Sequence, residues 1–191
     1  VFQTFQTEEL AEKIRRSAPT QLCGVAQRNE GCIVEPVKLL ALDLDGTLLN
    51  SKKELTPRTR AALYAAAEAG VEIVPTTGRF FGAMPEAIRT LPFLHYAITV
   101  NGAQVYDIRR DCAVSRAELP LEKTLRIMEY LDSFPVIYDC YMDNWGWITR
   151  SMQSRAADYI TNPHSLYMAR ELRHPVDELK AFLRERGQDV Q

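Results

Sequence analysis

The sequence predicts an α/β fold, and three successive segments support this prediction. The apolar run 37–42 ends abruptly at Asp43, which is typical of a strand buried on both faces of a parallel sheet. Residues 56–70 have a threonine cap, a proline in the first turn, an alanine-rich body and a glycine stop, which together predict a helix. Residues 71–74 indicate a second strand, and this order favours a right-handed parallel crossover.

The later elements fall into two groups. The first group continues the α/β pattern with a helix over 81–91 that must hold Pro85 in its first turn, and strands over 96–100 and 103–106. Beyond about residue 118, a helix and then a hairpin indicate an α+β unit, with a helix over 121–131, strands over 136–142 and 147–149, and a helix over 176–186. We therefore predict an unassigned leader over 1–37, an α/β core over 38–118 and a second unit over 119–191.

Composition excludes several classes of protein. With 23 basic and 25 acidic residues, a net charge of −2 and a pI near 6.0, the chain has no field to attract a polyanion, so no nucleic-acid partner is expected. It has neither an apolar run of about 20 residues nor a secretory signal, so we predict no membrane partner and a cytoplasmic location. The four cysteines form no C-x2-C pair and are expected to be reduced thiols.

Polar residues follow three of the predicted strands, at 43–47, 76–79 and 101–103. Ligands of open parallel sheets bind beyond the carboxyl ends of the strands, so these residues are candidates for one site. Asp43 and Asp45 project to the same side of an extended chain, and Mg²⁺ can resolve the repulsion between two such carboxylates. Gly46 allows the backbone to turn tightly around a bound anion.

This arrangement predicts phosphoryl transfer. Asp43 attacks phosphorus and forms an aspartyl-phosphate, while Asp45 protonates the departing alcohol and then activates the hydrolytic water. Thr77 and nearby backbone N–H groups hold a phosphoryl oxygen in the transition state.

The run Asp43-Leu44-Asp45-Gly46-Thr47 resembles motif I of the haloacid dehalogenase superfamily, D-x-D-G-T. Its spacing to Thr77-Gly78-Arg79, together with Asn101-Gly102-Ala103, is similar to the Cof-like subfamily, which has a type IIB cap. That subfamily usually carries A-T-G-R, so Thr77, and not Thr76, corresponds to its motif II hydroxyl.

The resemblance covers about residues 38–191 and implies a partial Rossmann-like core with a truncated type IIB cap over 119–191. It implies Mg²⁺ held by the Asp43 carboxylate and the Asp45 main-chain carbonyl, and hydrolysis of small phosphorylated metabolites such as sugar phosphates. We assign phosphate binding to Leu44, Gly46, Thr77 and Gly78, and substrate binding to Arg79, Asn101 and Gly102. The oligomeric state is not predicted.

The family's motif III lysine and motif IV acidic cluster come after its cap. Lys123 and Lys180 lie in predicted helices of the second unit, and no G-D-x-x-x-[DN] run follows. We therefore expect a fragment with an incomplete site, weak Mg²⁺ binding, and slow or no turnover.

Several alternatives stay open beside hydrolysis: a non-catalytic remnant, a phosphorylation-dependent binding module of the receiver type, or, within the family, a sugar phosphomutase. An EF-hand loop ending at Glu54 is disfavoured because a strand precedes Asp43. The aromatic residues Tyr138, Tyr141, Trp145 and Trp147 are expected to pack a sheet face rather than stack on a substrate. The histidines His95, His164 and His174 are expected in surface or loop positions.

Overall fold

The computed structural model describes residues 36–191, so the predicted leader over 1–37 lies almost wholly outside the described residues. The strands are β1 Leu39–Asp43, β2 Glu72–Thr76, β3 Tyr96–Thr99, β4 Gln104–Asp107, β5 Cys112–Arg116, β6 Asp139–Met142, β7 Trp145–Thr149 and β8 Arg173–Val176. The α-helices are α1 Pro57–Glu68, α2 Glu86–Arg89, α3 Leu121–Leu131, α4 Arg150–Ser154, α5 Ala156–Tyr159, α6 Pro163–Glu171 and α7 Leu179–Arg186, and short 3₁₀ segments cover Phe81–Ala83 and Val100–Gly102.

These residues form two compact units that alternate along the chain. The described part of the first unit comprises 36–77, Pro85–Ala97 and Asp107–Asp111, and the second comprises Gly78–Met84, Ile98–Tyr106 and Cys112–Gln191. The predicted α/β class with parallel strands is confirmed, because β1 and β2 pair in parallel in the first unit.

Helix α1 follows the prediction closely. The Thr56 side chain accepts a hydrogen bond from the Thr59 N–H at 3.2 Å, Pro57 occupies the first turn, and Gly70 adopts a left-handed conformation at φ +82° just after the helix. The caps that the sequence indicated therefore set both ends of this helix.

Strand β1 departs from the prediction in one respect. Leu40 and Leu42 point to a face that is at least half-buried, but Leu39 is 57% exposed, and Ala41 and Asp43 on the same face are also exposed. The expectation that this strand is buried on both faces is therefore wrong for the described residues, whereas β2 has three consecutive buried residues. Asp43 consequently lies on the open face of β1.

The single helix expected over 81–91 does not form. Met84 is extended (φ −69°, ψ 139°), because a residue before proline is disfavoured in the helical region, and Pro85 caps the short helix α2. The proline thus divides this segment into a 3₁₀ turn and one helical turn.

The second unit contains a three-stranded sheet in the order β6-β7-β8. Strands β6 and β7 are antiparallel, as predicted, and their turn places Asp143 and Asn144 at positive φ, while β8 adds in parallel to β7. Helices α3 and α7 contribute to the hydrophobic cluster on one side of this unit, formed by Leu125, Met128, Cys140, Met142, Leu179, Leu183 and Val190.

None of the helices within 36–191 has both the length and the apolar character needed to cross a membrane. Cys112 and Cys140 are free thiols, as expected, whereas Cys23 and Cys32 precede the described residues.

The two described cysteines are predicted to differ in reactivity. Burial, with a smaller effect from Asp139, raises the pKa of Cys140 to about 12, so only about one thiol in 10⁴ is ionised at pH 8. Exposed Cys112 should react with iodoacetamide in the folded protein, and Cys140 should react only after unfolding. Mass spectrometry of labelled peptides measures both, and equal labelling rates in the native state would contradict this prediction.

Candidate active site

The first part of the site is the turn that follows β1. The register pairs Asp43 with Thr76, so Thr77 comes one residue beyond the partner of Asp43 on the neighbouring strand. After Asp43 the chain turns back on itself: the Leu48 N–H lies 3.2 Å from the carbonyls of both Asp43 and Leu44, and the Leu49 N–H donates to Leu44 at 2.9 Å. The predicted end-of-strand placement of Asp43 is therefore present.

Two residues give this turn its shape. Gly46 has φ +84° and no atom within 4 Å of an added Cβ, so backbone conformation rather than lack of space favours glycine there. Leu44 is fully buried and anchors the turn, which leaves its backbone as its only group available to a phosphate.

Asp45 is paired with a cation, Lys53, that no sequence pattern assigns to the site. The Lys53 ammonium donates to Asp45 Oδ1 at 2.8 Å, and both side chains are about one-third exposed. Asn50 organises the intervening loop, because its Oδ1 accepts the N–H groups of Lys52 and Glu54, and Lys53 itself adopts φ +64°. An eight-residue separation across an irregular turn has no periodicity, which explains why sequence patterns do not reveal this pair.

Thr77 is 4% exposed and lies directly after β2 in the first unit. Thr76 beside it is half-buried, and its hydroxyl donates to the Val74 carbonyl at 3.4 Å. The two threonines are thus in different environments, with the more buried one at the position assigned to phosphate.

The predicted residues Gly78 and Arg79 belong to the second unit. The Arg79 guanidinium donates to the Ala83 carbonyl at 2.9 Å and lies 3.1 Å from His164 Nε2, at the start of α6. His164 was expected to be an isolated surface or loop residue; instead it is half-buried and contacts Arg79.

The segment that holds the predicted substrate residues Asn101 and Gly102 has an unusual backbone. Val100 and Asn101 are both left-handed, at φ 50° and φ 54°, and the Val100 N–H donates to the Arg79 carbonyl at 3.0 Å. A Cβ added to Gly78 would lie 2.8 Å from Asn101 Oδ1, so a larger residue at 78 would displace the Asn101 side chain. Asn101 is therefore packed directly against the Gly78 backbone.

The residues that could hold a metal ion are few. Within residues 36–191 no group of three histidine, cysteine, aspartate or glutamate side chains is arranged to bind one. Mg²⁺ usually takes one or two carboxylates together with waters and substrate phosphate oxygens, so Asp43 and Asp45 fit its donor preference as a partial set.

The aromatic residues of the second unit separate into two environments. Tyr138 is partly buried against the hydrophobic cluster that includes residues of α3 and α7. The centre of the Tyr141 ring lies 5.5 Å from the centre of the Phe80 ring, consistent with the expected packing role. Trp145, however, is 46% exposed, and the centre of its ring lies 4.8 Å from the centre of the exposed His174 ring.

A family model described as haloacid dehalogenase-like hydrolase matches residues 40–183, about three quarters of the chain. The chain belongs to the haloacid dehalogenase-like hydrolases. The family predicted from the D-x-D-G-T run is thereby confirmed.

Relatives of this haloacid dehalogenase-like chain include phosphatases of two bacteria. A pyridoxal phosphate phosphatase of Escherichia coli is 35% identical over 107 residues, which cover 56% of this chain and 39% of that protein. A 5-amino-6-(5-phospho-D-ribitylamino)uracil phosphatase of Bacillus subtilis is 37% identical over 71 residues, covering 37% of this chain and 28% of that protein. These matches span well under half the length of either relative.

Solved structures of haloacid dehalogenase-like proteins share the fold. A hydrolase of this class from B. subtilis superposes with a TM-score of 0.62 at 22% identity, covering 81% of this chain and 59% of that one. A subclass IIB sugar phosphatase superposes with a TM-score of 0.61 at 16% identity, covering 81% and 56%. At these identities the likeness establishes the fold alone.

Proposed function

We propose that this chain carries the nucleophile-bearing part of a Mg²⁺-dependent phosphatase that hydrolyses small phosphorylated metabolites in the cytoplasm. The observation that carries the proposal is the parallel register of Asp43 with Thr76. It places a carboxylate and the residue before Thr77 at the ends of neighbouring strands, where ligands of parallel sheets bind.

The chemistry proceeds in two displacements. A carboxylate oxygen of Asp43 attacks phosphorus, the bond from phosphorus to the ester oxygen breaks, and Asp45 donates its proton to the departing alkoxide. Asp45 then accepts a proton from water as that water attacks the aspartyl-phosphate, which releases inorganic phosphate and regenerates the Asp43 carboxylate. Each aspartate ends the cycle in its starting state.

Other residues stabilise charge. Thr77 donates its hydroxyl to a phosphoryl oxygen, and the backbone N–H groups of Leu44, Gly46 and Gly78 are the remaining proposed phosphate donors. The Asp43 carboxylate and the Asp45 carbonyl would hold Mg²⁺, which would supply positive charge to the phosphoryl oxygens. Arg79, Asn101 and Gly102 remain proposed substrate contacts.

The relatives support a metabolite-sized phosphate ester as the substrate. Two of them are named as phosphatases for phosphorylated small molecules, a pyridoxal phosphate and a phosphoribitylamino-uracil. The near balance of charges also disfavours a polyanionic nucleic acid.

Exchanging each of the two adjacent threonines for valine tests the proposal. Thr77→Val keeps the shape of a buried side chain but removes the donor, so hydrolysis of p-nitrophenyl phosphate with Mg²⁺ should fall by about 10²-fold. Thr76→Val is the matched control: the half-buried Thr76 hydroxyl donates to the Val74 carbonyl rather than to the proposed phosphate, so its loss should change the rate by less than about threefold.

Addition of EDTA should abolish the wild-type rate in the same assay. Equal losses in the two threonine variants, or activity that persists with EDTA, would overturn the proposed roles of Thr77 and Mg²⁺.

A further inference from the structure

Arg173, on β8, is a buried cation with all three nitrogens engaged. Its side chain is only 7% exposed, and its Nε donates to Asp139 Oδ2 at 2.5 Å. Nη2 donates to the Tyr141 hydroxyl at 2.7 Å, and Nη1 lies 3.5 Å and 3.4 Å from the carbonyls of Met168 and Leu172. Removing a charge from water is costly unless it is paired and hydrogen-bonded, and this network meets that requirement.

The guanidinium lies over two aromatic rings that also contact each other. Its central carbon lies 5.2 Å from the centre of the Phe80 ring and 4.9 Å from that of Tyr141. Phe80 is 1% exposed and is the third residue after Thr77 in the sequence. Arg173 therefore lies over a residue of the segment that follows the proposed phosphate-binding threonine.

The surrounding sheet is shaped to admit this side chain. A Cβ added to Gly146, on the adjacent strand β7, would lie 2.2 Å from Arg173 Cδ and 3.2 Å from the Phe80 ring. Glycine at 146 leaves the space through which the arginine passes to reach Phe80, so the contact depends on a second residue of the sheet.

The whole segment Gly78–Met84 is fixed in the same unit. Asn101 packs against Gly78, His164 contacts Arg79, and Arg173 stacks on Phe80. Of these three contacts, that of Arg173 is the most buried.

We infer that Arg173 is a positioning residue, which fixes the backbone of Gly78–Met84 and through it the orientation of Thr77 toward a phosphoryl group. The second part of this inference, the orientation of Thr77 toward phosphate, rests on the proposed function. The first part, the fixing of Gly78–Met84 by Arg173, does not depend on it. The planar fork of arginine is essential, because lysine can supply the charge but neither the stacking nor the divided hydrogen bonds.

The test compares Arg173→Lys with Arg155→Lys in the whole chain. Arg155 is a matched control, because it also pairs with an aspartate, donates to a tyrosine hydroxyl and stacks on that tyrosine, but it is 63% exposed. Two quantities are measured: amide hydrogen exchange of peptides covering 78–84 and 39–43, and the dissociation constant for inorganic phosphate.

We expect Arg173→Lys to speed exchange in 78–84 by about tenfold or more, with 39–43 unchanged, and to weaken phosphate binding by about tenfold. Arg155→Lys should change neither quantity. Unchanged exchange in 78–84 overturns the inference, and faster exchange with unchanged phosphate affinity overturns the link to Thr77.

Two further results are also decisive. A wild-type chain that binds no phosphate overturns the proposed function and the phosphate part of the inference, and exchange in 78–84 then decides whether Arg173 fixes the segment. If Arg173→Lys does not fold, Tyr141→Phe removes one of its partners at constant shape, and is judged by the same two measurements.

Discussion

Replacing Asp43 with asparagine is expected to reduce phosphate release to the protein-free background, because removing a nucleophile typically costs about 10⁴-fold or more and the wild-type rate is itself expected to be slow. Asparagine has the same shape as aspartate but no carboxylate oxygen to attack phosphorus. Because Asp43 lies on the open face of β1, the substitution should leave the thermal unfolding temperature nearly unchanged. Phosphate release from p-nitrophenyl phosphate with Mg²⁺ measures the first quantity.

Asp177→Asn is the matched control for this experiment. Its side chain is 93% exposed and pairs with exposed Arg150 at 3.2 Å, so its loss should not change the rate. A variant Asp43→Asn that keeps a tenth or more of the wild-type rate would exclude Asp43 as the nucleophile. A wild-type chain that binds phosphate without releasing it from the ester would favour the non-catalytic alternative.

Replacing Phe80 with alanine is expected to lower the free energy of unfolding by about 3–5 kcal/mol, the range for truncating a buried phenylalanine. Phe80 is the largest of the fully buried side chains in the described residues, and it packs with Ala83 and Val100 beneath Arg173. Its loss leaves a cavity and removes one aromatic face from a buried guanidinium. Urea denaturation followed by circular dichroism measures the change.

Phe134→Ala is the same substitution at a residue that is 45% exposed, and it should cost less than about 1 kcal/mol. If the two variants unfold at the same urea concentration, the cluster around Phe80 contributes little to stability. That result would also weaken the argument that Gly78–Met84 is fixed by packing.

The sequence predicts helix α1 and strand β1 well, because short-range interactions along the chain determine both elements. The threonine cap, the proline in the first turn and the glycine stop of α1 each act within a few residues, and the helix follows them. The apolar run ending at Asp43 likewise predicted a strand with a carboxylate at its end. The placement of Asp43 and Thr77 at the ends of neighbouring strands followed from the predicted crossover.

Interactions between distant residues were not predictable in this way. Strand β8 was missed because Pro175 argues against a strand, although proline is tolerated where a strand has a neighbour on one side only. Burial of β1 on both faces was inferred from its composition, but exposure depends on what packs above a strand. The contacts of Arg173 with Phe80 and of Lys53 with Asp45 span irregular separations that carry no periodic signal.

The left-handed backbone at Val100 and Asn101 affects how this part of the chain unfolds locally. This conformation costs about 1–2 kcal/mol at β-branched Val100 and less at Asn101, so the turn is unfavourable in isolation. It persists because the Val100 side chain packs with Phe80 and its N–H bonds to Arg79. We therefore expect the segments Gly78–Met84 and Val100–Gly102 to lose their structure together, in one cooperative local unfolding step.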